Sequence, residues 1–160
     1  MKKTILSTLC FLLVSCFMFF TDAGTRIVVL GSSTAAGAGV SDSNRAWVNQ
    51  YRTYLQSIDP TNTVTNLAKG GYTTCAIMPT GTNPYNTGNH ILEVDTERNI
   101  TKALSLSPNA IIINMPTNDV SNGIPVATQM KHFATIIDLA KAAGVKVWIT
   151  TSQPHNFGEK

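Results

Sequence analysis

A chain of 160 residues with a formal net charge of +3, 43% hydrophobic and 13% charged residues has the make-up of a globular domain. Its lysines and arginines are scattered along the sequence, which argues against a nucleic-acid-binding face or an anionic-membrane surface. Removing a 23-residue leader from 160 leaves 137, ample for one hydrophobic core and too few for two ordinary domains.

The leader is legible from its layout. Met1-Lys2-Lys3 is a charged start, Ile5 to Phe20 is an apolar stretch, and Thr21-Asp22-Ala23 offers a small-residue cleavage site, the order found in secretory signal peptides. The apolar run, about 16 residues, is short of the roughly 20 needed to span a bilayer. Cleavage after Ala23 makes Gly24 the new N-terminus and lowers the charge from +3 to +2, since Lys2, Lys3 and Asp22 leave. Export to a periplasmic or extracellular space is therefore expected. A second layout overlaps it: Leu13-Val14-Ser15-Cys16 fits a lipoprotein-processing box with Cys16 as the lipidated residue, but Phe17 to Phe20 continue the apolar run past it. Cys10 and Cys16 both lie in the leader, so Cys75 is left alone and reads as a small buried hydrophobe.

The domain 24–160 opens with Arg26-Ile-Val-Val-Leu30, a short apolar run that stops at Gly31 and is followed by Ser32 and Ser33. That is a buried parallel strand delivering hydroxyls to its carboxyl end, where open α/β sheets keep their ligands. Trp47, Tyr51, Tyr54, Leu55 and Ile58 then recur at helical spacing, and Asp59-Pro60 ends the helix. Thr63 to Leu67 is the next strand, followed by a loop rich in Gly, Thr, Asn and Pro from Gly70 to about Asn89, long enough to be functional. Leu92 to Leu106 is a weaker helix closed by Ser107-Pro108. Ala110 to Asn114 is a third strand, apolar enough to be buried on both faces. Val126, Met130, Phe133, Ile137 and Ala140 form an amphipathic helix with Gly144 at its C′ position. Val145 to Thr150 is a fourth strand, ending in a polar loop at Gln153-Pro154-His155.

This alternation predicts a single α/β domain: a three-layer α/β/α sandwich on a doubly wound parallel sheet, with the flavodoxin-like strand order 2-1-3-4. A closing helix and a further strand are expected beyond Lys160.

Three segments fall on one carboxyl edge of that sheet: Gly31-Ser32-Ser33, Asn66 to Gly71, and Pro116-Thr117-Asn118-Asp119. A serine supplies an attacking oxygen, a glycine lets a backbone N–H approach a substrate closely, and an asparagine amide supplies a second donor for a tetrahedral oxyanion. Read from the residues alone, Ser33 could equally cap the following helix, and Gly71 and Asn118 could be turn residues. Asp119 reads as a structural hydrogen-bond partner. The serine does not lie in a Gly-x-Ser-x-Gly elbow, and the spacing from Gly31 to Gly39 fits neither a dinucleotide fingerprint nor a phosphate-binding P-loop.

In their order and placement these blocks resemble those of the SGNH/GDSL hydrolases, over about residues 26–157. Gly31-Ser32-Ser33 stands where that family has Gly-Asp-Ser, with serine replacing the aspartate. Asn66 to Gly71 matches its Asn-to-Gly block, and Pro116-Thr117-Asn118-Asp119 its Gly-x-Asn-Asp, with proline replacing glycine. The resemblance implies that Ser33 is the nucleophile of a serine esterase. It implies an oxyanion hole formed by the Ser33 and Gly71 backbone N–H groups and the Asn118 amide, with no metal or organic cofactor. Small-molecule or carbohydrate esters, acetyl esters among them, are the substrates it implies, and neither a nucleic acid nor, unless Cys16 is lipidated, a membrane is implied as partner.

The family's Asp-x-x-His has no counterpart in the 160 residues, so the resemblance leads to the expectation that the general base lies beyond Lys160 and that the chain is C-terminally truncated. The alternative is a non-catalytic module that keeps the edge loops for carbohydrate or ester binding, or an inactive fragment lacking the His/Asp pair. Of the three histidines, His132 reads as a surface residue of its helix, His90 lies in a loop without a partner at recognisable spacing, and His155 follows the fourth strand. His155 and Ser32 are the residues expected to line the substrate cleft.

Overall fold

The computed structural model describes residues 24–115 and 117–151. The leader, Pro116 and the segment holding His155 lie outside the described residues. Strand β1 (Arg26–Gly31) is followed by a single helical turn, α1 (Ser33–Ala36), and, after a 3-10 turn at Ser43–Arg45, by helix α2 (Trp47–Ile58) and strand β2 (Thr63–Asn66). Two short strands, β3 (Tyr85–Asn86) and β4 (Ile91–Leu92), precede helix α3 (Ile100–Ser105) and strand β5 (Ala110–Asn114). The turn α4 (Asn118–Ser121), helix α5 (Val126–Ala142) and strand β6 (Lys146–Ile149) complete the described chain.

The main sheet has the order β2-β1-β5-β6 and every pairing in it is parallel. These are the four strands expected from the apolar runs, in the order expected of them. Val28, Leu30, Ile111 and Ile113 point to one side and pack with Ile77, Ile100, Ile136 and Ala140. Ile27, Val29 and Ala110 point to the other and pack with Val48, Val64 and Ala68. The period of two along a strand thus supplies two cores from one sheet, with helices on both faces.

Three expectations change in detail. Helix α3 begins at Ile100, not near Leu92, because the buried Asn99 caps it: its side chain accepts from the Lys102 N–H at 2.9 Å. Ile91 and Leu92 pair instead with Asn86 and Tyr85 in a short antiparallel ribbon, whose first strand lies in what reads as irregular chain. On α5, Val126 and Met130 are exposed, and Ile136 and Ala140 carry the buried stripe with Phe133 packed beside them. That helix ends as expected, with the Val145 N–H bonded to the Ala140 carbonyl and the Gly144 N–H to that of Lys141, both at 2.9 Å.

No described helix is long and apolar enough to cross a membrane. Cys75 is buried, and burial pushes its thiol above the ordinary value, in keeping with its reading as a small hydrophobe.

Candidate active site

Because β1, β2 and β5 run parallel and in register, their carboxyl ends meet at one edge. Gly31 closes β1 opposite Asn114, and it has to be glycine. A Cβ there would sit 2.6 Å from the Ala35 Cβ, 3.1 Å from the Asn114 carbonyl oxygen and 3.3 Å from the Ala68 Cβ. The absence of a side chain lets α1 fold directly over the strand end, which brings the two serines to the edge.

The two serines differ sharply. Ser32 is fully buried and occupies the N-cap of α1, so the capping role open to Ser33 in the sequence falls on its neighbour. Its hydroxyl faces inward and does not line a cleft. Ser33 is the first helical residue and is only half-buried, and its hydroxyl has no hydrogen-bond partner among the described residues.

Asn118 joins the loops. Its Nδ2 donates to the Ser32 Oγ at 3.1 Å and to the Tyr72 carbonyl at 2.8 Å, so the loop after β5 holds both the residue before Ser33 and the residue after Gly71. Gly71 has φ +84°, a conformation that favours glycine, and is exposed with nothing near the place of a Cβ. Asn66 ties the end of β2 to the same edge by donating to the Ala35 carbonyl at 2.7 Å and accepting from the Ala68 N–H at 3.0 Å. The three segments picked out in the sequence are thus neighbours in space.

Behind them lies a hydrogen-bonded chain that the sequence does not announce. The buried Asp119 carboxylate accepts from the Thr74 N–H at 3.1 Å through each oxygen and from the Thr74 hydroxyl at 2.5 Å. Thr74 Oγ1 lies 2.8 Å from His132 Nδ1. The threonine proton goes to the carboxylate, so the oxygen accepts from the imidazole, which places the proton on Nδ1. Asp119 follows Asn118, and Thr74 lies three residues after Gly71. The carboxylate therefore fastens the two loops that hold the candidate donors into one frame. Asp119 is the structural partner expected of it. His132, read as a surface residue, is half-buried instead, with its ring edge-on to Tyr85 at 6.2 Å.

Burial holds the His132 imidazole below its ordinary value, the Asp119 charge opposing the shift. The unfolded chain therefore binds a proton first as pH falls below about 6.5. The stability that neutral His132 contributes is present above that pH and is lost as pH falls towards the lower folded value. The melting temperature is expected to drop more steeply between pH 7.5 and 5.5 in the parent than in His132→Gln. Thermal unfolding across that range checks this, and parallel slopes would contradict it.

On the outer side of the Gly71 turn, the Tyr72 hydroxyl donates to the Asp95 carboxylate. Burial and that bond push the tyrosine up, and the bond holds the aspartate below its ordinary value. The Lys69 ammonium lies 5.6 Å from the centre of the Tyr72 ring. A hollow of about 700 Å³ lies at the other end of the sheet, lined by Thr25, Asn62, Asn109 and Lys146, and holds no candidate nucleophile. Among the described residues no group of three or more His, Cys, Asp or Glu could hold a metal ion.

The sequence profile of the GDSL-like lipase/acylhydrolase family matches residues 29–159. The chain belongs to that family. No curated protein sequence matches it. Among solved structures it is similar to TesA, with a TM-score of 0.59 and 21% identity over 78% of this chain and 59% of that one. It is similar also to AlinE4, an SGNH-hydrolase family esterase, with a TM-score of 0.59 and 18% identity over 82% of this chain and 61% of the other. A third is a two-domain esterase active on acetylated mannans, with a TM-score of 0.55 and 18% identity over 79% of this chain and 30% of the other. At these identities the likeness is one of fold. The chain spans about three-fifths of the length of TesA and AlinE4.

Proposed function

We propose that this domain is the nucleophile-bearing part of an exported serine esterase, with Ser33 forming the acyl-enzyme. The observation that carries the reading is the meeting of the Ser33, Gly71 and Asn118 loops through the Asn118 amide. Ser33 attacks the ester carbonyl. The oxyanion takes hydrogen bonds from the Ser33 and Gly71 N–H groups and from Asn118. A histidine oriented by an aspartate accepts the serine proton and returns it to the leaving alcohol. His132 is tied to Thr74, and the chain spans about three-fifths of TesA and AlinE4, which supports an Asp–His pair supplied by a longer form. The mannan esterase among the structural neighbours supports acetylated carbohydrate as the substrate class.

The test is hydrolysis of an aryl acetate by the 160-residue chain and by a longer form continuing through an Asp-x-x-His. The longer form is expected to turn over and the shorter one to be feeble, because a serine without a base is rarely ionised near neutral pH. Ordinary turnover by the 160-residue chain, stopped by His155→Ala, would overturn the placement of the base.

Export is a separate part of the proposal, supported by the layout of residues 1–23. N-terminal sequencing of protein exported by a bacterial host is expected to read from Gly24. A chain beginning at a lipid-modified Cys16 would establish the lipoprotein form instead.

A further inference from the structure

Two of the three donors assigned to the oxyanion hole converge on one atom. The Ser32 Oγ accepts from the Ser33 backbone N–H at 2.6 Å and from the Asn118 Nδ2 at 3.1 Å, and Ser32 is fully buried. An ordinary helix N-cap hydroxyl accepts from the second or third helical N–H. This one accepts from the first, that of Ser33, and from a side chain 86 residues away. The Ser32 main chain is fixed as well, its N–H donating to the Asn114 carbonyl at 3.1 Å.

We propose that Ser32 is a positioning residue for the ester-hydrolase reaction, its hydroxyl oxygen holding the Ser33 N–H and the Asn118 amide in place before substrate arrives. The inference rests on the hydrolase reading of the same edge. Without the Ser32 oxygen the Ser33 N–H would lose its acceptor and the Asn118 amide one of its two, the Tyr72 carbonyl keeping the other. A donor left unpaired at a partly buried edge costs free energy or reorients. A neutral hydroxyl satisfies both donors while remaining a weaker acceptor than the negative oxygen that forms in the transition state. As the oxyanion forms nearby, the Ser33 N–H and the Asn118 N–H exchange the buried Ser32 oxygen for the stronger, negative acceptor. Serine at a position where the family usually has aspartate keeps an oxygen acceptor and omits the charge.

The experiment compares the 160-residue chain with Ser32→Ala and Ser32→Cys by amide hydrogen exchange in nitrogen-resolved NMR. Cysteine nearly preserves the side-chain volume and is a weak acceptor, so it separates the hydrogen bonds from packing. In both variants the Ser33 amide and the Asn118 side-chain proton directed at Ser32 are expected to exchange at least about tenfold faster, the one bonded to Tyr72 less so. The Val145 amide, bonded to Ala140 in another part of the fold, should be unchanged and so reports that the variant is folded. Unchanged protection of Ser33 and Asn118 in the folded Ser32→Cys chain would overturn the proposal. In a form that turns over, Ser32→Cys should lower kcat about tenfold with KM within about twofold; an unaltered kcat would also overturn it. Loss of the hydrolase reading itself would show differently, as esterase activity that survives Ser33→Ala while the exchange result stands.

Discussion

Replacing Ser33 by alanine is expected to lower acetyl-ester hydrolysis by at least about a thousandfold in any form of the protein that turns over, because the oxygen that forms the acyl-enzyme is gone. The fold should not notice. Ser33 is half-buried at the first position of a one-turn helix, its hydroxyl makes no bond among the described residues, and the cap belongs to Ser32. Steady-state kinetics paired with thermal unfolding separates the two effects. An inactive variant with the parent's melting temperature is the expected pair; an active one would remove Ser33 from the chemistry.

The largest loss of stability is expected from Asp119→Ala. It strips the acceptor from the Thr74 N–H and hydroxyl, both buried, and leaves His132 bonded to an unanchored threonine. Buried donors deprived of an acceptor cost about 1–3 kcal/mol each, so a loss of about 3 kcal/mol or more is expected in urea denaturation. Thr74→Val removes the hydroxyl but keeps the N–H bonded to the carboxylate, and should cost less. Equal costs for the two would mean that the backbone contact adds nothing. Because Asp119 also locks the Gly71 and Asn118 loops together, its loss should reduce turnover even where the protein remains folded.

The sheet was legible because its signals are local. Ile27 to Leu30 and Ala110 to Asn114 are short apolar runs bounded by turn residues, and such runs alternating with helical stretches leave few topologies open. The β3–β4 ribbon was not legible, since two-residue strands at Tyr85 and Ile91 have no period to detect. The sequence pattern starts helix α3 too early because Leu92 and Val94 supply apolar spacing, whereas the Asn99 cap shows itself only as a bond to the Lys102 N–H.

Within the candidate site, residue types behind strand ends point to loops that the structure brings together, but their hydrogen bonds are non-local. His132 could not be paired with Thr74 from sequence, because 58 residues separate them. Nor does the order Ser32-Ser33 reveal which serine caps α1; that depends on how closely Gly31 lets the turn approach β5 and α1.

The central claim, that the carboxyl edge carries an acylation site at Ser33, is tested most directly by locating a covalent adduct. A turnover-competent form treated with a fluorophosphonate ester and digested should yield one phosphonylated peptide, with the modification on Ser33 and absent from Ser33→Ala. An adduct on Ser32 or on any other residue, with Ser33 left unmodified, would contradict the account.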